Sequence, residues 1–247
     1  NRSGDNLRID WGYAYLAVPE GQKPAFSIAT RKALLDGFAR EGKLPEALAP
    51  AEPMRVRDGS VSMAAMWDLG KTGTAPLSAW AMVAYDDIVS IRYFENDLKA
   101  WWRRDGMTFD NMLITASRDY GRLTAECDAF DNELMNDLNS AGGEKYAQMC
   151  ALVYRQCLAA HKLVADTKGN PLFFSKENFS NGCIGTVDVI YPFSPFSLLF
   201  SPVLTKAMLR PLLDYASSAR WKFPFAPHDL GQYPWATGQV YGGGEKD

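Results

Sequence analysis

The sequence predicts an α+β fold that is mainly α, with β elements first and helical hairpins after them. Three observations carry this. Ile9, Trp11, Tyr13 and Tyr15 alternate in LRIDWGYAYLAVP, the period of a strand with aromatic packing. From Phe109 the apolar residues move in steps of three and four, through Met112, Leu113, Ala116, Tyr120, Leu123, Cys127, Phe130 and Leu134. That stripe belongs to a long amphipathic helix. Gly142 and Gly143 in NSAGGE then suit a helix C-terminus, directly before a second periodic run.

The elements follow in order. After the first strand, SIATRKALLDGFARE reads as a short helix and EALAPAEPM as a Pro/Ala loop. GSVSMAAMWDLGKTGTAP reads as a strand ending in a Gly-rich turn, and LSAWAMVAYDD as another strand. Residues 1–87 thus resemble the last part of a β domain. The strands are too few to close a sandwich, so further strands are expected upstream. Asp86 and Asp87 are placed at a strand-to-helix junction, as caps of the next element. WWRRDG reads as a helix end with snorkelling arginines, and its two tryptophans as hairpin packing. Tyr146, Met149, Cys150, Val153, Cys157 and Ala160 mark the second helix, antiparallel to the first because the link is short. DTKGNP is a turn. The stretch FSKENFSNGCIGTVDVIYPFSP reads as mostly non-helical. SPVLTKAMLRPLLDYASS is a third helix, with Ser201 as N-cap, Pro202 at N1, and a kink or break at Pro211. The Pro, Gly and aromatic residues of the last segment predict little regular structure.

Composition narrows the function classes. The chain has 247 residues, a net charge of -3 and 47% hydrophobic content, enough for a substantial core. The acidic balance argues against a nucleic-acid partner, which calls for a basic stripe. No apolar run reaches the ~18 residues of a membrane span. The chain opens on NRSGDN with no signal peptide, as a processed product or an excised piece would. The four cysteines, Cys127, Cys150, Cys157 and Cys183, match no zinc or redox spacing and read as buried free thiols. With only His161 and His228, a multi-histidine metal site is not expected, and no loop has the EF-hand pattern.

Four segments carry a resemblance: TVDVIYP, PHDLGQYPWATGQ, AYDDIVSIRYF and CDAFDNELMNDLNSAGGEKYAQMCALVYRQ. Together they resemble the glutaminase A family, in order and approximate spacing, over nearly the whole chain from RIDWGYAYL onward. The resemblance implies an N-terminal β domain followed by a six-hairpin, glycosidase-like (α/α) toroid. On it, residues 1–87 are the end of the β domain and residues 88–247 the first part of an incomplete toroid. Members continue past the YGGGEKD end with more hairpins, so the chain is expected to be a fragment. The family implies a hydrolase that converts glutamine to glutamate and ammonia, without an organic cofactor, and often secreted. Its partners would be a small-molecule amide and the remainder of the parent chain or its cleaved half. A secreted or periplasmic location is implied in the same way.

Deamidation needs an activated nucleophile, donors for the oxyanion and an acid for the departing ammonia. The sequence has no G-x-S-x-G elbow and no Ser/Lys or Cys/His pairing. Cys183, in SNGCIG, reads as a small buried filler ahead of a thiol nucleophile. A site-lining segment mixes aromatic walls with a few fixed polar groups, which describes KENFSNG and TVDVIYP. Glu177 and Asp188 are the acid/base candidates there, Lys176 a holder of charge, and Asn178 and Asn181 amide donors. Asp188 and Asn181 equally suit turn caps. His228 beside Asp229 suits a general acid oriented by neighbours, or a structural turn; adjacent side chains seldom pair, so partners are expected from elsewhere. Tyr233, Trp235 and Gln239 suit substrate walls and polar contacts. Asp128, Asp131 and Glu133 read as the wet face of the long helix. Two alternatives remain open. One is a carbohydrate-active enzyme on the same toroid, its carboxylates ~5–5.5 Å or ~6.5–9.5 Å apart. The other is an inert half that needs the rest of its parent.

Overall fold

Short apolar alternations fold as two-stranded antiparallel ribbons in the first part of the chain. The computed structural model describes residues 11–47, 60–71, 73–177 and 180–245. They form two compact units, one spanning Tyr13–Asp86, the other built from Asp87 onward together with Trp11 and Gly12. The fold is α+β and mainly α.

In the first unit β1 (Tyr13–Ala17) pairs with β4 (Met82–Asp86), Tyr13 opposite Asp86. β2 (Ala25–Thr30) pairs with β3 (Val61–Met66), Ala25 opposite Met66. The helix expected over SIATRKALLDGFARE is shorter: Ser27–Thr30 belong to β2, because the ladder with β3 takes their backbone groups. Only α1 (Arg31–Glu41) is helical. The Thr30 hydroxyl accepts the Ala33 N–H at 3.3 Å, and Gly42 at φ 62° closes the other end. The Pro/Ala segment from Leu48 onward lies outside the described residues, as does Ile9 of the first strand.

The second unit opens with β5 (Ile91–Tyr93) and β6 (Asn96–Leu98), antiparallel. Asp86 is thus the last residue of β4 and Asp87 follows it ahead of β5, and neither caps a helix. Asp87 instead accepts the Ser90 hydroxyl at 2.7 Å and pairs with Lys162 at 2.5 Å. WWRRDG is a 3-10 turn rather than a helix end, with Arg104 over Trp101 and Arg103 over Trp102 at 4.3 and 4.4 Å. The long helix, α2 (Phe109–Gly142), is capped by Thr108. Gly143 alone, at φ 79°, links it to α3 (Glu144–Ala159). Phe130 against Tyr154 at 5.5 Å shows the antiparallel pairing. Asp128, Asp131 and Glu133 are exposed, but so are Tyr120, Leu123 and Phe130 on the apolar stripe, and Met149, Leu152 and Val153 on α3.

DTKGNP closes a hairpin, β7 (His161–Ala165) with β8 (Pro171–Ser175). The next stretch departs from expectation: Val187–Phe200 is a helix, α4, despite Pro192 and Pro195. Prolines remove ladder donors, and local hydroxyls back-bond to the helix: Ser194 to the Ile190 carbonyl at 2.7 Å and Ser197 to that of Ser194 at 3.2 Å. Ser201 links α4 to α5 (Pro202–Ala216), and its side chain makes no cap bond. Of the kink or break expected at Pro211, no break occurs; α5 runs through it with that ring fully buried. β9 (Trp235–Ala236) joins β5 in parallel, so the last segment completes a three-stranded sheet.

The core of this unit gathers Ile91, Val164, Leu172, Phe174, Ile184, Met208, Tyr215 and Leu230, all under 3% exposed. Each large apolar side chain buried there contributes about 1.5–3 kcal/mol. Ile184 and Leu230 anchor two loops that carry most of the singled-out polar residues. Among the described residues no helix is long and apolar enough to cross a membrane.

Candidate functional site

The two polar stretches far apart in sequence are bonded to each other. Ile184 N donates to Gly231 O and Leu230 N to Ile184 O, both at 2.9 Å. Tyr233 N reaches Gly182 O at 3.0 Å and Val187 N reaches His228 O at 2.9 Å. Gly231, at φ 130°, has no space for a side chain: a Cβ would stand 2.1 Å from Trp235 O. This knitting sets Asp188, in the first turn of α4, beside His228.

Asp229 is fully buried. Its Oδ1 accepts from Gly231 N at 2.8 Å and Val240 N at 3.0 Å; its Oδ2 accepts from Tyr241 N at 3.2 Å and His228 Nδ1 at 3.1 Å. Four donors fill a carboxylate's acceptor capacity. The expectation that the histidine's partners come only from elsewhere is thus corrected. The turn at Asp229 folds its carboxylate back within reach of the neighbouring ring. A carboxylate accepts, so Nδ1 carries the hydrogen and Nε2 is turned to other work. Nε2 lies 3.8 Å from Asp188 Oδ2, beyond direct bonding and within reach of one bridging water. Tyr241 stacks on the imidazole at 4.2 Å.

Gln239 serves this arrangement from behind. Its Oε1 accepts the His228 N–H at 2.7 Å, and its Nε2 donates to Gly244 O at 2.9 Å and Tyr241 O at 3.3 Å. Its amide is spent on backbone. Its own N–H donates to the Tyr215 hydroxyl at 3.2 Å, which donates to Glu245 at 2.6 Å, which pairs with Arg220 at 2.6 Å. Burial first, and the bond to Glu245 next, push the Tyr215 phenol up to about 12. His228, Asp188, Val187, Tyr191, Phe225 and Tyr241 line a cleft of about 710 Å³.

The other candidates sit differently. Burial, followed by the charges of Asp229, Glu177 and Asp188, pushes the Cys183 thiol up to about 12. A thiolate nucleophile is disfavoured there. Glu177 accepts the Ser180 hydroxyl at 2.6 Å. Asn181 holds its turn, accepting Cys183 N at 2.8 Å through Oδ1. Lys176 lies 4.9 Å over the Tyr233 ring. Tyr233 itself lines a second, larger cleft of about 900 Å³ with Trp11, Arg92, Gln232 and Trp235. Asn178 lies outside the described residues. Among the described residues no group of three or more His, Cys, Asp or Glu is arranged to hold a metal. Sequence reasoning passed over Tyr241, Tyr215, Arg220 and Glu245. The glycine run after Tyr241, Gly242–Gly244 at positive φ, was the one signal of a tight closing turn.

Residues 143–246 match the glutaminase A six helical-hairpin domain, and residues 2–137 match a domain of unknown function (DUF5127). The seam between the two family models falls near the end of α2, not at the Asp86–Asp87 division of the structure. The chain is 28% identical over 253 residues to glutaminase A of Aspergillus oryzae, covering 99% of this chain and 36% of that protein. It is 38% identical over 125 residues to a protein of Arthroderma benhamiae named "Probable glutaminase", covering 50% of this chain and 14% of that one. The chain thus spans about a third or less of these relatives' length. No solved structure matches it.

Proposed function

We propose that this chain, which belongs to the glutaminase A family, supplies the acid–base part of a site that hydrolyses glutamine to glutamate and ammonia. The observation that carries this is the line Asp229–His228–Asp188: a buried carboxylate on one ring nitrogen and an open cleft with a second carboxylate at the other. The names of the two relatives support the substrate class.

In this reading a water bridges His228 Nε2 and Asp188. His228 takes its proton as the oxygen attacks the amide carbon, and returns that proton to the departing nitrogen. Asp229 holds the tautomer and steadies the ring while it is charged. Asp188 orients the water. Glu177 and Lys176 have no assigned step; Gln239 and Asn181 position backbone. The remainder of the parent chain would complete the site. The hairpins α2–α3 and α4–α5 are read as the first of an (α/α) toroid, with residues 1–87 as the end of a β domain. A secreted or periplasmic location follows the same family reading.

The test is ammonia release from L-glutamine by the full-length parent, by the 247-residue chain, and by the parent carrying Asp188→Asn or His228→Gln. The parent should be active and both substitutions should lower kcat by roughly 10²–10⁴-fold. A parent that releases no ammonia from glutamine or related amides sinks the reading.

A further inference from the structure

The largest cleft described, about 900 Å³, shares no lining residue with the His228 cleft. Free glutamine would leave most of it empty; ligand pockets of ~300–1,000 Å³ fit drug-sized molecules. Its walls are aromatic. Trp11 and Tyr233 stand 6.4 Å apart with their rings tilted by 34°. Trp235 leaves 62% of its surface exposed on the same cleft. An exposed indole on a cleft that Trp11 also lines offers a flat apolar face to a ligand.

The polar groups say which kind. Arg92 is bonded to Asp97 at 2.8 Å and has Glu95 at 4.0 Å, so its charge is already matched. Lys176 spends its charge over the Tyr233 ring. An anionic ligand would find no unmatched cation among these. The backbone of β9, the outer strand of its sheet, is engaged at several points: Pro234 O and Ala236 O accept from Arg92 N and Phe94 N, Trp235 N donates to Gln232 O, and Val240 N donates to Asp229. An extended peptide would find only part of the ladder it needs. The remaining chemistry belongs to side chains: a guanidinium–carboxylate pair, the Thr237 hydroxyl and the Gln232 amide oxygen, the Gln232 Nε2 already donating to Asn181 O at 2.6 Å. We propose that this cleft binds a neutral saccharide, its C–H faces against Trp235 and Trp11, with buried Tyr233 behind them, and its hydroxyls on the Arg92–Asp97 pair. The proposal is binding without hydrolysis, and it stands apart from the amide-hydrolase reading.

The experiment is titration calorimetry and tryptophan fluorescence on the full-length parent. The probes are cellotetraose, chitotetraose, laminaritetraose and maltotetraose, with glutamate and a neutral tetrapeptide as comparators. At least one saccharide should bind, and Trp235→Ala should weaken it by about tenfold or more with the melting temperature unchanged. Three results overturn the proposal: no saccharide binding up to ~10 mM, binding that ignores Trp235→Ala, or a comparator that binds with the same dependence on Trp235. None of these readouts uses ammonia release, so failure here and failure of the hydrolase reading are distinguishable.

Discussion

At Asp229 three backbone N–H groups and one imidazole converge on a carboxylate with no exposed surface. Asp229→Asn turns an NH₂ toward donors. It should cost roughly 1–3 kcal/mol for each N–H left unmatched, read as a lower urea midpoint, and should also weaken turnover. Cys183 is expected to resist iodoacetamide in the native state at mildly alkaline pH, while exposed Cys127 is alkylated; burial and three carboxylates hold its proton on. Peptide mapping after labelling reads both. His161 stacks on Phe173 at 4.4 Å, and burial lowers its pKa below the usual 6.5. The unfolded chain therefore takes up this proton first as pH falls. Its contribution to stability is complete above the unfolded pKa of about 6.5 and is lost as pH falls toward the lower folded value. His161→Phe should flatten urea-melt stability between about pH 7 and pH 5.

The loop from Pro227 to Gly238 acts as one element because it is tied along its length to other segments. Gly231→Ala should disrupt it, since the new methyl would meet Trp235 O at 2.1 Å on a backbone at φ 130°. A loss of several degrees in Tm is expected, with ammonia release falling in parallel. Gly121, mid-way along α2, is the contrast: nothing lies within 4 Å of its missing methyl. Gly121→Ala should stabilise by about 0.5–1 kcal/mol. The long helix was legible because its period runs uninterrupted from Phe109. α4 was not, because Pro192 and Pro195 are helix breakers on any local rule. Its register is held instead by burial of Ile190 and Phe193 and by the Ser197–Thr205 bond of 2.7 Å to α5, which no local pattern announces.

The chain matches its first relative end to end yet covers only 36% of it. It also exposes apolar side chains along the α2–α3 hairpin, among them Ile114, Tyr120, Leu123, Met149 and Leu152. A contiguous face of this kind marks a contact surface. The 27.4 kDa chain should therefore elute from gel filtration above its monomer mass or bind a hydrophobic dye strongly, and the full-length parent should bind less dye per mole. A monomeric, dye-silent chain would show that the hairpin needs no cover.

Residue types and periods by themselves determined the α+β class, the two helices around Gly143, and a short list of polar residues that holds His228, Asp229 and Asp188. These depend on neighbours along the chain: a period states which face is apolar, and a rare residue is visible wherever it falls. The tertiary structure alone decided what each polar residue does. Gln239 and Asn181 turned to backbone, Tyr241 came onto His228, and Tyr233 went to the other cleft. A buried polar group takes the partner that chain closure brings to it, and here closure joins Gly182–Val187 to His228–Tyr233 across about forty to fifty residues.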